Sequence, residues 1–377
     1  MAGLYVHIPF CASRCIYCGF YSTTLPALIT DYLSATGREM QLRKHYLDEP
    51  VNTIYLGGGT PSQLSPRQTE QIFCDIDRTW GLAHAEEVTM ECNPDDVTEE
   101  YAAQVATLPI NRISLGIQTF SDERLRFLHR RHDTRQDRRA VELLRKAGFD
   151  NISIDLMFGF PGETLNEWRD DIRQALQLDV EHISAYSLMY EEGTVLFRML
   201  ETGKIDELDD EISKNMYELL VGELEQNGYE HYEISNFAKP AHRSRHNSSY
   251  WKGIPYIGIG AAAHSYDRTS RQWNIADIQQ YIRGINDGSC VFEREELDLR
   301  TRYNDMITTA LRTCEGISMS LVRNDFGENY AHYLLESAEK SIAQRLLTLE
   351  EDHLHLTREG VFVSNDVMSD LIALTTP

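Results

Sequence analysis

Three of the seven cysteines of this 377-residue chain fall within eight residues, at Cys11, Cys15 and Cys18. They sit in the run Tyr5-Val6-His7-Ile8-Pro9-Phe10-Cys11-Ala12-Ser13-Arg14-Cys15-Ile16-Tyr17-Cys18-Gly19-Phe20, with the spacing C-x3-C-x2-C. Short spacers let several thiolates converge on one metal centre. An iron–sulfur cluster usually takes four Cys ligands, so three thiolates leave one iron open to an outside ligand, as catalytic zinc sites keep a position open. Two other readings stand beside this one: a zinc site completed by a distant His, and three cysteines that bind no metal, since free Cys is often a small buried hydrophobe.

Other stretches carry chemistry-bearing residues. Gly57-Gly58-Gly59-Thr60-Pro61 lets the backbone approach a ligand closely; it lacks the spaced Gly-Lys-Ser/Thr of a phosphate-binding loop, and the plain alternative is a tight turn. Glu91, in Glu91-Cys92-Asn93-Pro94, can accept hydrogen bonds from ribose hydroxyls or an amine, or serve a surface salt bridge. Asp155 lies inside Ile154-Asp155-Leu156-Met157-Phe158, where a charge is costly unless paired, which makes it a ligand-contact candidate. Gln118 closes Gly116-Ile117-Gln118, and the basic run Arg124–Arg139 reads mainly as a solvated helix face.

The elements that must position these residues alternate. Strands are predicted at Leu4–Ile8, Thr53–Leu56, Val88–Cys92, Arg112–Ile117, Ile152–Met157 and His182–Ser187. Helical patterns fill the gaps at Leu25–Tyr46, Ser65–Thr79, Thr98–Thr107, Arg135–Ala147 and Thr164–Leu178. Such alternation indicates βαβ units and a parallel sheet. Six units fall short of a closed eight-fold barrel and predict an α/β fold with a partial (β/α)6 TIM-like barrel, with chemistry where strands end. An irregular acidic stretch follows from Glu191 to Glu211, then a helix to Gln226, a strand over Tyr229–Phe237, a polar and aromatic loop over His242–Lys252, and a Gly/Ala-rich segment over Tyr256–Ser265. From about Thr301, short helices and a hairpin around His353–Thr357 predict a smaller winged-helix-like α+β domain. The expected division is 1–240 for the barrel, 241–300 for a loop and connecting segment, and 301–377 for the C-terminal domain.

The net charge is −23. That argues against nucleic acid, whose phosphates call for a basic patch. No run reaches the roughly 18 apolar residues of a membrane span, and no basic-then-apolar leader opens the chain. A cytoplasmic protein is expected, in which clustered cysteines favour metal over disulfides.

The C-x3-C-x2-C spacing, with Tyr17 before the last Cys, resembles the radical S-adenosylmethionine (SAM) superfamily. There, SAM chelates the open iron of a 4Fe–4S cluster through its amino and carboxylate groups. The longer string Tyr5-x-His7-Ile8-Pro9-Phe10-Cys11 resembles one branch, the oxygen-independent coproporphyrinogen III oxidases and the related HemW-type heme chaperones, over nearly the whole chain. The resemblance implies cluster ligands Cys11, Cys15 and Cys18. It implies SAM contacts at Tyr5, Tyr17, Gly58, Gly59, Thr60, Glu91, Gln118, Arg130, Asp155, Ala185 and Ala262. Arg130, within Arg130-Arg131-His132, would hold the SAM carboxylate. The oxidases carry a further Cys two residues after the third; this chain has Phe20, as the chaperones do. It also has His246-Asn247-Ser248-Ser249-Tyr250-Trp251, matching the chaperones' H-N-x-x-Y-W string. Imidazole is a common axial heme ligand, so His246, Tyr250 and Trp251 are the implied heme residues, with His242 and His264 as competitors. The implied function is heme binding and delivery to an acceptor protein, membrane-associated acceptors included. The alternative is oxidative decarboxylation of porphyrinogen propionates.

Overall fold

The computed structural model describes residues 1–376. Strands β1 (Ala2–Ile8), β2 (Val51–Gly58), β3 (Glu87–Cys92), β4 (Arg112–Gln118), β5 (Ile152–Phe158) and β6 (His182–Ser187) pair in parallel, each beside the next in sequence. The six predicted strands are all present, each end within two residues of the predicted one. The sheet continues beyond β6 through the hairpin of β7 (Glu230–Glu233) and β8 (Asn236–Ala238), β8 lying against β6. On the other side, β9 (Tyr256–Ile259) pairs in parallel with β1. Antiparallel β10 (His264–Tyr266), β11 (Ser270–Asn274) and β12 (Phe292–Glu296) follow to the outer edge. Among the described residues the sheet has twelve strands in the order β12-β11-β10-β9-β1-β2-β3-β4-β5-β6-β8-β7.

The helices between the strands begin where their capping residues require. Ser65 accepts from the Gln68 amide and Gln68 bonds back to the Ser65 amide; Thr164 and Glu167 form the same reciprocal pair, as do Asp133 and Gln136. Gly148 ends the helix Thr134–Ala147 in the left-handed conformation that favours glycine. These helices cover the outer face of the sheet. Apolar side chains of β1–β6 alternate outward into that layer, forming a core that includes Leu4, Val6, Ile54, Leu56, Ile113 and Ile154. Polar side chains alternate inward.

Four expectations need correction. The predicted strand over Tyr229–Phe237 is a hairpin, because Ile234 and Ser235 form its turn. The acidic stretch is not wholly irregular: Thr194 caps a helix over Val195–Glu201. The predicted loop over His242–Lys252 contains the helix Arg245–Trp251, started by Ser244, whose hydroxyl accepts from the Asn247 amide. Arg130 and His132 do not lie on a helix but on the link between helices Asp122–Phe127 and Thr134–Ala147.

Beyond β12, residues from Leu299 build a separate apolar core on Tyr303, Ile307, Val322, Leu334 and Leu354. Helices Leu299–Ala310, Met319–Phe326 and Glu328–Ala343 pack with a three-stranded sheet, β13 (Ile317–Ser318), β15 (His353–Leu356) and β14 (Leu347–Glu350). Backbone bonds tie this domain to the β7–β8 hairpin, from Ile234 N to Arg312 O and from Cys314 N to Tyr232 O, each at 3.0 Å.

Candidate functional site

The C-terminal ends of β1–β6 open into a chamber of about 410 Å³. Cys11, Cys15 and Cys18 line its mouth. Their loop is tied down at several points: the Cys11 amide donates to Thr23 O at 2.9 Å, the Ile16 amide to Leu128 O at 3.3 Å, and the Leu196 amide to Ile16 O at 2.9 Å. Ile16 also packs with Leu128, Met157, Phe160, Leu188 and Leu196 in a small apolar cluster. The helix Val195–Glu201 thus braces the loop from the side.

The cysteines are unpaired and partly exposed. Burial pushes the thiols of Cys11 and Cys18 up, against hydrogen bonds that lower them; a bound metal would take the deprotonated form. The Thr60 hydroxyl lies 3.5 Å from Cys11 Sγ, and Arg130 Nη1 lies 3.5 Å from Cys15 Sγ. Among the described residues no three His, Cys, Asp or Glu side chains stand close enough to hold one metal ion. Gly59 lies tight against the cysteine loop: a Cβ there would stand 2.8 Å from the Pro9 carbonyl carbon and 3.0 Å from Cys11 Sγ.

Below the cysteines, most of the implied SAM residues line the same chamber: Tyr17, Gly58, Gly59, Thr60, Glu91, Gln118, Arg130 and Asp155. Burial raises the Tyr17 hydroxyl, keeping it protonated. Glu91 accepts from Tyr55 OH at 2.8 Å and from the Gly58 amide at 3.1 Å, and burial pushes it up to about 7. Burial likewise pushes Asp155 up to about 6, against hydrogen bonds from Ser184 and Ser114 and the charge of Arg112. Gln118 adopts a left-handed backbone (φ 72°), a strained state for a residue other than Gly that clusters at binding sites. Arg130 is turned inward: Nη2 donates to Asn93 Oδ1 at 2.7 Å and to Gly116 O at 2.6 Å, while buried Nε has no partner among the described residues. With Nη1 on Cys15 and Nη2 on Asn93 and Gly116, only Nε of the fork is without a partner among the described residues.

Three residues stand apart from the chamber wall. Tyr5 lies behind it, stacked on Tyr55 at 6.1 Å, its hydroxyl donating to His7 Nδ1 at 3.0 Å. Ala185 points to the outer face, because Ser184 and Tyr186 on either side take the inward positions. Ala262 lies past the end of β9 in a left-handed turn (φ 61°), its amide bonded to Ile275 O at 3.0 Å.

The H-N-x-x-Y-W string also departs from expectation. His246 is 1% exposed and plugs the floor of the barrel. Its Nδ1 pairs with Thr53 Oγ1 at 2.9 Å and its Nε2 with Tyr250 OH at 2.8 Å, while the ring stacks on Tyr55 at 5.1 Å. With both nitrogens engaged, the implied axial ligand is in this structure a buried strut. Burial, reinforced by Arg112, lowers His246 to about 3, so the ring is neutral. Tyr250 packs edge-on to Tyr256, and Trp251 lies under the Arg312 guanidinium. Of the competitors, His264 is stacked on Trp273.

One group escaped the sequence reading. Arg112 opens β4, is 1% exposed and lines the inner end of the chamber with Ser114, Ser153, Ser184 and Asn247. Its Nε and Nη2 meet no partner among the described residues. Buried donors of this kind call for water or a ligand. The alternation Arg112, Ser114, Gly116, Gln118 was the available signal: four non-apolar residues two apart occupy one face of an otherwise apolar strand.

Comparison with known proteins agrees with this architecture. Residues 5–175 match the Radical SAM superfamily model and residues 297–363 the HemN C-terminal domain model. A heme chaperone HemW of Lactococcus lactis is 34% identical over 369 residues, 98% of this chain and 96% of its own. The HemW of Escherichia coli is 35% identical, with 69% of each chain covered. The solved coproporphyrinogen III oxidase (HemN) of Escherichia coli has the same fold, with a TM-score of 0.86 at 20% identity over 99% of this chain and 90% of its own. The chain belongs to the radical SAM superfamily and, within its coproporphyrinogen III oxidase-like branch, to the HemW family.

Proposed function

We propose that this protein is a radical SAM-type heme chaperone, which binds heme and passes it to an acceptor protein in the cytoplasm or at a membrane surface. Cys11, Cys15 and Cys18 would hold a 4Fe–4S cluster, and SAM would complete the open iron while lying over Gly58–Thr60 and Asp155. The observation that carries the cofactor part is convergence. Three thiolates, a glycine turn, two buried carboxylates and an inward arginine, drawn from five strands and their loops, share one chamber. When bound, the cluster–SAM pair supplies one-electron chemistry or a regulated structural state; the chain's own residues bind and orient it and exclude water. In this reading residues 1–240 carry cluster and SAM, 241–300 close the barrel floor and widen the sheet, and 301–377 form the smaller domain.

Phe20 supports the chaperone over the oxidase. It stands at the chamber mouth, 70% exposed, where the resembling oxidases carry a further Cys. Among the described residues no helix is long and apolar enough to cross a membrane. The test is a hemin titration of the anaerobically reconstituted protein, followed by mixing with an apo-heme protein. Stoichiometric binding followed by transfer is expected. A protein that takes up no heme, or never releases it, overturns the proposal.

A further inference from the structure

We infer that the groove between the barrel and the C-terminal domain is the site for the iron tetrapyrrole, with His355 as the axial ligand. This rests on the heme-binding reading above and assigns it a place that the H-N-x-x-Y-W string does not supply. The groove is a second cavity of about 410 Å³, within the roughly 300–1,000 Å³ of small-ligand sites, which favour domain interfaces. One wall comes from the helix Asp210–Gln226 and the β7–β8 hairpin. The other comes from residues 311–314, from β14 and β15, and from Thr357 to Phe362.

The ligand argument turns on one hydrogen bond. His355 Nδ1 lies 3.1 Å from the carbonyl oxygen of Cys314. A carbonyl only accepts, so Nδ1 carries the proton and the lone pair sits on Nε2. That nitrogen meets no partner among the described residues, and the side chain is partly exposed at the groove. Metal-ligating imidazoles are held in this way, the far nitrogen fixed by a backbone carbonyl or carboxylate. The other imidazoles nearby differ: His353, whose ring stacks on His355 at 5.9 Å, does not line the groove. His231 Nε2 faces Tyr217 OH at 3.2 Å and Ile234 O at 3.3 Å, with its ring stacked on Phe237 at 4.5 Å. His246 has both nitrogens engaged.

The walls suit a flat apolar ring with carboxylate edges. Leu356, Val361 and Phe362 supply apolar surface, and Tyr217 meets Phe362 edge-on at 5.4 Å. Arg312 supplies the cation: Nε donates to Thr308 O at 3.2 Å, and its other donors have no hydrogen-bond partner among the described residues. Such a guanidinium suits a carboxylate. The Arg312 side chain rests 6.0 Å over the Trp251 ring, so the string reaches this groove through Trp251, as the support of the cation. Of the acidic residues in the wall, Glu225 pairs with Arg358 and Glu218 with Lys214, each at 3.9 Å, and Glu233 accepts from the Ser235 amide at 3.2 Å, while Glu350 stands exposed at the rim.

The experiment titrates hemin into the full-length reconstituted protein, comparing wild type, His355→Ala and Cys314→Ser by Soret spectrum and affinity. The cluster absorbance of each sample confirms that the fold is retained. His355→Ala should shift the Soret band and weaken binding by roughly ten- to a hundredfold. Added imidazole should restore the wild-type spectrum, which misfolding would not allow. Cys314→Ser should leave the spectrum unchanged. Wild-type spectrum and affinity in His355→Ala, or a change that follows Cys314→Ser instead, overturns this assignment while leaving the chaperone reading intact. Failure of the wild type itself to take up heme overturns both.

Discussion

Asp155 shows what one side chain contributes here. A carboxylate inside an apolar strand is costly to bury, and its offset comes from the Ser114 hydroxyl at 3.4 Å, from Ser184 and from the charge of Arg112. Asp155→Ala should leave the cluster in place and weaken SAM binding roughly ten- to a hundredfold, since a hydrogen bond to a buried charge is worth about 1.5–3 kcal/mol; equilibrium dialysis with labelled SAM reads this directly. The acceptor form is the ionised one. SAM affinity should therefore fall as pH drops through about 7 and about 6, where Glu91 and Asp155 gain protons. Asp155→Asn should remove the lower step; an unchanged profile in that variant would assign the step elsewhere. Among the thiolates, Cys15→Ala should abolish the 4Fe–4S absorbance after anaerobic reconstitution, and full retention of iron and sulfide would contradict the ligand assignment. These residues were legible because their types conflict with their surroundings: a charge in a strand, three thiols in a loop. Arg112 carries the same conflict, but as the first residue of its predicted strand it could equally face solvent at the strand's end.

At the scale of the element, the glycine turn after β2 and the helix Arg245–Trp251 make different demands. Gly59 packs against Pro9, Ile8 and Cys11, leaving no room for a Cβ. Gly59→Ala should push the cluster loop away and lower cluster occupancy without unfolding the barrel; iron content beside the circular dichroism spectrum separates the two effects. The helix Arg245–Trp251 was read as a loop because it is short and mixes polar with aromatic residues, and no periodicity emerges from seven positions. What fixes it is tertiary: the amides of Arg245 and His246 donate to Glu87 at 2.9 and 2.8 Å, and His246 enters the barrel floor. His246→Ala should cost about 2–4 kcal/mol, through the cavity and the unpaired hydroxyls of Thr53 and Tyr250, while the heme spectrum stays as in wild type. The pH sign follows from the neutral ring. Below about pH 6.5 the unfolded chain gains a proton that folded His246, at about 3, does not take up. This residue therefore lowers stability as pH falls from 6.5 toward 3, and chemical denaturation of His246→Ala should show a shallower acid loss. A variant as stable as wild type but with an altered Soret band would reverse this assignment.

Across the whole molecule, the βα alternation made the six-stranded parallel core legible, and the change of pattern near Thr301 marked the second apolar core. The parallel pairing of β9 with β1 was not legible, since Tyr256–Ile259 is four residues long and meets a partner more than two hundred positions away. Nor was the interdomain groove, because His355, Arg312 and Phe362 carry no local pattern and come together only when β15 folds back beside Cys314. Among its cavities are a cysteine-rimmed chamber and a groove with an oriented imidazole, joined by a helix that plugs one and supports a cation of the other through Trp251. That arrangement suits a carrier whose cofactor chamber and cargo site are separate, whereas an oxidase must bring its porphyrinogen to the chamber itself. The direct measurement is incubation of the reconstituted protein under anaerobic conditions with coproporphyrinogen III, SAM and reductant, alongside a hemin titration of the same preparation. Stoichiometric heme uptake with no protoporphyrinogen formed is the predicted result; catalytic turnover of the porphyrinogen would contradict it.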